Sequence, residues 1–203
     1  MLSVLLPVFA VHLVAAMSPG PAVLMTVRVA MVRGMRAASA LSIGIALGAA
    51  VWATAAILGL AALFEIAPKL LIAFKAVGAS YLLWCAYKMW RGARAPMEIA
   101  PVTGPAPSGL RSFLLGRGIQ LSNPKPAVFF GAVFVSVVPA HADATTFAAI
   151  LGIVFLNEAL WNIFIARVFS LERTRAGYVR LKTPIDRMLG GMLAALGFKI
   201  ALT

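Results

Sequence analysis

Lys125 and Glu158 are the residues best placed to do chemistry, because each lies in a stretch otherwise almost free of charge. Lys125 sits in Ser122-Asn123-Pro124-Lys125-Pro126-Ala127-Val128, and Glu158 in Leu156-Asn157-Glu158-Ala159-Leu160-Trp161-Asn162. Ionisable groups inside apolar spans are costly and mark substrate or proton pathways. A lysine beside a helix break suits a substrate carboxylate. A glutamate in an apolar span binds an ammonium or carries a proton. The same two side chains would also suit each other as a static ion pair. Asn157 and Asn162 add hydrogen-bonding capacity beside Glu158.

Other polar groups carry less. Lys75 is near the end of an apolar run, where its stem can reach the membrane surface. Asp186 reads as part of a solvated face, with an ion pair to the neighbours of Arg187 or a proton path as the other readings, and His12 as a packing residue on an apolar helix, with a proton relay as the other reading. His141 has no assigned role. Histidines, cysteines and carboxylates form no cluster at metal-ligand spacing, so neither a metal nor a cofactor is expected. Cys85 is the single cysteine, which excludes an internal disulfide and reads as a small apolar packing residue.

The elements that must position these residues are transmembrane helices. Of 203 residues, 62% are hydrophobic and 12% charged, against roughly 25% charged in a soluble domain. One domain over 1–203, with no room for a separate soluble catalytic unit, argues against an enzyme. The N-terminal apolar run lacks a basic leader and reads as a first span rather than a cleaved signal. Six spans are expected, at about 2–27, 37–63, 70–90, 112–138, 145–169 and 184–202, each near the roughly 20 residues needed to cross a bilayer.

The connecting segments alternate in charge. Arg28, Arg33 and Arg36 follow the first span. Lys88, Arg91, Arg94, Arg111 and Arg117 surround the third connection, and Arg167, Arg173, Arg175, Arg180, Lys182 and Arg187 the fifth. These hold fourteen of the eighteen basic residues. The positive-inside rule places them in the cytoplasm and both termini on the periplasmic side. The basic excess is therefore a topology signal rather than a nucleic-acid surface. Residues 92–111 are rich in Pro, Gly and Ala and read as a linker.

Pro19-Gly20-Pro21-Ala22-Val23 in span one repeats as Pro124-Lys125-Pro126-Ala127-Val128 in span four. A polar residue, Ser18 or Asn123, precedes each. Lys75-x-x-Gly78 and Arg187-x-x-Gly190 match more weakly. Three spans per half make the halves, about 1–91 and 112–203, an inverted-topology repeat. Two prolines two residues apart remove two donors and clash with the preceding turn. Spans one and four are therefore expected to break or kink, with the breaks facing protein or a water-filled cavity. Ser18, Pro19, Gly20, Pro21, Ser122, Asn123, Pro124, Lys125 and Asn157 are the expected substrate-binding residues, and Glu158 the proton-coupling one. Kinks that only shape packing are the other reading. Gly44-x-x-x-Gly48, and Gly190, Gly191 and Gly197, offer close-packing faces within the bundle or between subunits. Trp52, Trp84, Trp90 and Trp161 mark interfaces or cavity walls.

Together these residues resemble the LysE/RhtB family of amino-acid exporters. The likeness rests on Ser18-Pro19-Gly20-Pro21, Gly34-Met35-Arg36-Ala37-Ala38, Gly44-Ile45-Ala46-Leu47-Gly48, Lys75-Ala76-Val77-Gly78-Ala79-Ser80-Tyr81-Leu82 and Asn123-Pro124-Lys125-Pro126. It covers about residues 5–135 and extends more loosely to the end. Ala22 and Pro126 depart from the family pattern, which bears on the substrate rather than the scaffold. The resemblance implies proton-driven export of amino acids or close derivatives from a bacterial inner membrane, and allows a homodimer. A cation exporter would need several intramembrane carboxylates or histidines, where only Glu158 is clear. A redox carrier would need cysteine or histidine pairs that the chain lacks.

Overall fold

The structure is a computed structural model that describes residues 2–60, 68–95, 108–134, 138 and 143–202. Regular structure among them is entirely helical. Helix α1 spans Leu2–Met17 and α2 Pro21–Ala55, the latter continuing as a π-turn over Ala56–Leu60. Helix α3 spans Pro68–Gly92, α4 Gly109–Ser122 and α5 Pro124–Val128, which runs into a second π-turn at Phe129–Phe134. Helices α6, Ala144–Ser170, and α7, Glu172–Leu202, complete the bundle. Much of the expected linker, including its Pro-rich part, lies outside the described residues, as does His141.

The expected breaks are present. The chain leaves the helix between Met17 and Pro21, and again at Asn123, whose φ of −81° and ψ of 121° are extended. A third interruption falls at Gly34, with φ 76° and ψ 179°, a left-handed region that favours glycine. It replaces the loop expected around residues 28–36. Val23 and Gly48 both lie near Gln120, although an unbroken helix would hold them about 37 Å apart at 1.5 Å per residue. The chain therefore doubles back at Gly34.

Glycines set the helix spacing. A Cβ on Gly44 would run into the Phe113 carbonyl, and one on Gly116 into the Leu41 carbonyl. Helices α2 and α4 thus interlock backbone to backbone, which places the Gly44-x-x-x-Gly48 face inside the bundle. On the other side, Gly190 lies under Trp90, and Gly197 under Leu83 and the Ala79 carbonyl, joining α7 to α3. Helix α7 begins twelve residues before the expected sixth span, at Glu172, and continues through Pro184. Lys182 Nζ donates to the Gly92 and Ala93 carbonyls, and Thr183 Oγ1 to Ala93 O, so the end of α3 holds this basic stretch in place.

The interior is mainly apolar but also holds a set of polar side chains, while large apolar side chains cover much of the outside. His12, Ser18, Thr26, Gln120, Asn123, Asn157, Glu158 and Asn162 are buried, while Leu2, Phe9, Leu58, Leu156, Phe164 and Phe198 face outward. Apolar side chains on the outside and polar ones within fit a lipid solvent. The helical stretches Pro21–Gly59 and Ala144–Ser170 are long and apolar enough to cross a bilayer, and α1 is apolar but shorter.

Candidate functional site

The two breaks meet. Lys125 Nζ, just past the second break, donates to the Ser18 carbonyl at the first, at 2.6 Å. Ser18 N donates to Val14 O, closing the last turn of α1, and its hydroxyl lies 3.5 Å from Met89 Sδ. The second break is built differently. Asn123 Oδ1 accepts from the Lys125 backbone N–H at 3.1 Å and caps α5. The Gln120 carbonyl that the break exposes accepts from Asn123 N and from the Trp52 indole Nε1, at 3.2 Å.

Two cavities adjoin at this junction. The larger, about 580 Å³, has Pro19, Gly20, Pro21, Asn123 and Lys125 at one end. Tyr81, Trp84, Cys85 and Met89 of α3 line its wall, and Lys88, Tyr178, Lys182 and Asp186 its other end. It reaches from the breaks to the ends of α3 and α7 that carry the basic residues. Asp186 is buried and paired with Lys182 at 2.8 Å rather than solvated. The smaller cavity, about 20 Å³, lies on the far side of Lys125 and is lined by His12, Gln120 and Glu158 among others.

Glu158 and Lys125 form no direct ion pair among the described contacts. Glu158 Oε1 accepts from Gln120 Nε2 at 3.4 Å, and Oε2 from Asn162 Nδ2 at 3.0 Å. Thr26 Oγ1 lies 3.0 Å from Asn162 Oδ1 and extends this network to α2. The carboxylate and the ammonium flank one small cavity while each keeps its own partners. Asn157 is buried but lines neither cavity. Its Nδ2 donates to Phe9 O at 3.1 Å and faces His12 Nδ1 at 3.5 Å. Ser122 is exposed at the end of α4 and lines neither cavity. Pro124 opens α5. Lys75 lies half-buried on α3, away from both cavities.

A family model described as LysE type translocator matches residues 13–203. The chain belongs to that family. The threonine efflux protein of Escherichia coli K12 is similar to it, at 35% identity over 209 residues spanning all of both chains. That of Salmonella typhi is 35% identical over 206 residues, again at full coverage. The uncharacterised membrane protein YahN of Escherichia coli K12 is 28% identical over 206 residues, 96% of this chain and 90% of that one. No solved structure matches. This chain is therefore a LysE-type translocator, and the efflux relatives named above are transporters rather than enzymes.

Gln120 was not among the residues singled out from the sequence, and His12, which packs on Phe129 and Phe130, also lines the small cavity. Gln120 carried a signal, since it is a polar residue in an apolar run one turn before the second break. His12 carried none, because one histidine on a helix does not reveal what faces it.

Proposed function

We propose that this chain exports amino acids, or closely related small zwitterions, from a bacterial inner membrane by proton antiport. Six spans form two inverted three-helix repeats, about 1–91 and 112–203, joined by a linker at about 92–111, with both termini periplasmic. The packing supports this arrangement. Helix α1 lies against α6 as α4 lies against α2, and α3 lies against its counterpart α7, the pairs that a two-fold axis in the membrane plane would relate. Threonine, named for the efflux relatives, is the first candidate substrate.

The observation that carries the reading is the Lys125–Ser18 contact at the head of the large cavity. The first break offers both poles a zwitterion needs. The carbonyl end of α1 faces an ammonium, and the first-turn amides of α2, which have no intrahelical acceptors, face a carboxylate. Gly20 caps α2 without a side chain, and the Lys125 side chain lies against it. Lys125 supplies the cation for the substrate carboxylate, while the substrate ammonium takes over the Ser18 carbonyl. Glu158, one cavity further in, takes up the proton that returns the carrier. The large cavity reaches the basic, cytoplasmic side, so this is the conformation that loads substrate from the cell.

The test is efflux from cells expressing the protein after loading with dipeptides that hydrolyse to a panel of amino acids. Faster appearance of one amino acid outside, abolished by collapsing the proton gradient, is the expected result. In Glu158→Gln the gradient should stop accelerating efflux. Equal efflux from expressing and non-expressing cells for every panel member, with protein confirmed in the membrane, would refute the exporter reading.

A further inference from the structure

We propose that His12 is a second proton carrier, exchanging a proton with Glu158 across the small cavity, with Asn157 as the latch on its other ring nitrogen. The inference rests on the antiport reading and goes beyond it by naming the path.

The cavity is built for a proton. Its titratable lining residues are His12 from α1, Lys125 from α5 and Glu158 from α6; α7 and the second π-turn add none among the described residues. Its volume of about 20 Å³ exceeds the roughly 10–15 Å³ that one water needs. Gln120, 2% exposed, lines it, and its Oε1 has no hydrogen-bond partner among the described residues. That oxygen is an acceptor for a water held between the acid and the imidazole. Glu158 already has one donor on each oxygen, from Gln120 and Asn162, so its position is set on both sides.

His12 is fixed as firmly. Its ring, 1% exposed, packs against Phe129 and Phe130 of the second π-turn, with centroids 5.7 and 5.6 Å away. Asn157 Nδ2 donates to Phe9 O, which fixes the amide with its nitrogen towards the ring. His12 Nδ1 is then the acceptor, and the ring proton sits on Nε2. A proton added at Nδ1 makes the imidazolium. Loss of the Nε2 proton to a Glu158 oxygen, directly or through the water, leaves a neutral ring and a neutral carboxyl, so one proton has crossed and charge is conserved.

Asn157 blocks this entry in the conformation described here, because its N–H group faces the nitrogen that must accept. His12 is on α1 and Asn157 on α6, so separating these helices opens Nδ1 to the outer side. In the proposed cycle the proton loads when the substrate cavity on the basic side has closed. This is the order an antiporter requires.

The experiment uses purified protein in proteoliposomes, with radiolabelled threonine and the other panel amino acids in parallel. Uptake driven by an imposed pH gradient is compared with amino-acid exchange at equal pH. In His12→Gln the gradient-driven rate should fall by about tenfold or more, while exchange falls far less. His12→Asn repeats the measurement with a smaller side chain. Asn157→Ala should let protons leak without amino acid, read by an internal pH dye. Retained gradient-driven uptake in both His12 variants would overturn the proposal, as would equal loss of both activities. Wild-type uptake indifferent to the gradient would overturn the antiport reading along with it.

Discussion

The two helix breaks come from near-identical pentapeptides, yet they are finished in different ways. At the second, the exposed Gln120 carbonyl is held by the Trp52 indole, a neutral donor on a bulky side chain. Asn123 then caps the helix that follows. At the first, the exposed Ser18 carbonyl is held by the ammonium of Lys125, at the end of a flexible chain, and Gly20 gives no side-chain cap. One break is tied with structural bonds. The other is tied with a bond that a substrate ammonium can replace. The difference arises at two positions of the repeat, where Ser18 corresponds to Asn123 and Gly20 to Lys125, and from Trp52 outside it. The duplication supplies two breaks, and the exchange of glycine for lysine makes one of them a receptor for the other.

The comparison fails if the lysine is dispensable. Lys125→Ala should lower amino-acid affinity or efflux by roughly 100-fold, the scale for truncating one member of a buried charged pair, measured with protein levels in the membrane held equal. Trp52→Phe probes the other break. It removes the donor to Gln120 O and should cost about 1–3 kcal/mol of stability, seen as a lower melting temperature in detergent, with much less effect on affinity than Lys125→Ala. Asn123→Ala removes the α5 cap and should cost about 1 kcal/mol in the same melting experiment. Asp143→Ala provides the contrast, a cap remote from both breaks. Asp143 Oδ1 accepts from Thr146 N at 2.6 Å, and this bond holds the exposed carboxyl below the usual carboxylate range. Its small stabilisation is therefore present above the ordinary carboxylate range and is lost as pH falls through the lowered value. A slight melting shift that disappears in acid, with efflux unchanged, is the expected result.

Much of this was legible in the chain itself because the bilayer makes backbone chemistry explicit. Paired prolines fit the first turn of a helix but cannot continue the helix before them, so the breaks at Pro19-Gly20-Pro21 and Asn123-Pro124 were readable from residue types alone. The close-packing role of Gly44 and Gly48 was readable too, although their partner, α4, was not. What lay beyond reach depends on rotation about helix axes. Adjacent residues on a helix point about 100° apart, so Asn157 turns towards His12 while Glu158 turns towards Gln120. Nothing in their order distinguishes them. Ser122 and Asn123 diverge similarly, one exposed and one buried. Asp186 looked solvated in sequence because Lys182, one turn earlier, could not be seen to bring it against the end of α3.

Equilibrium binding to purified protein tests the central claim most directly, comparing the amino acid exported in the dipeptide assay with its methyl ester. The account predicts that the wild type binds the amino acid and discriminates against the ester, and that Lys125→Ala loses most of that discrimination along with affinity. Equal binding of acid and ester by the wild type, or unchanged preference in Lys125→Ala, would contradict it.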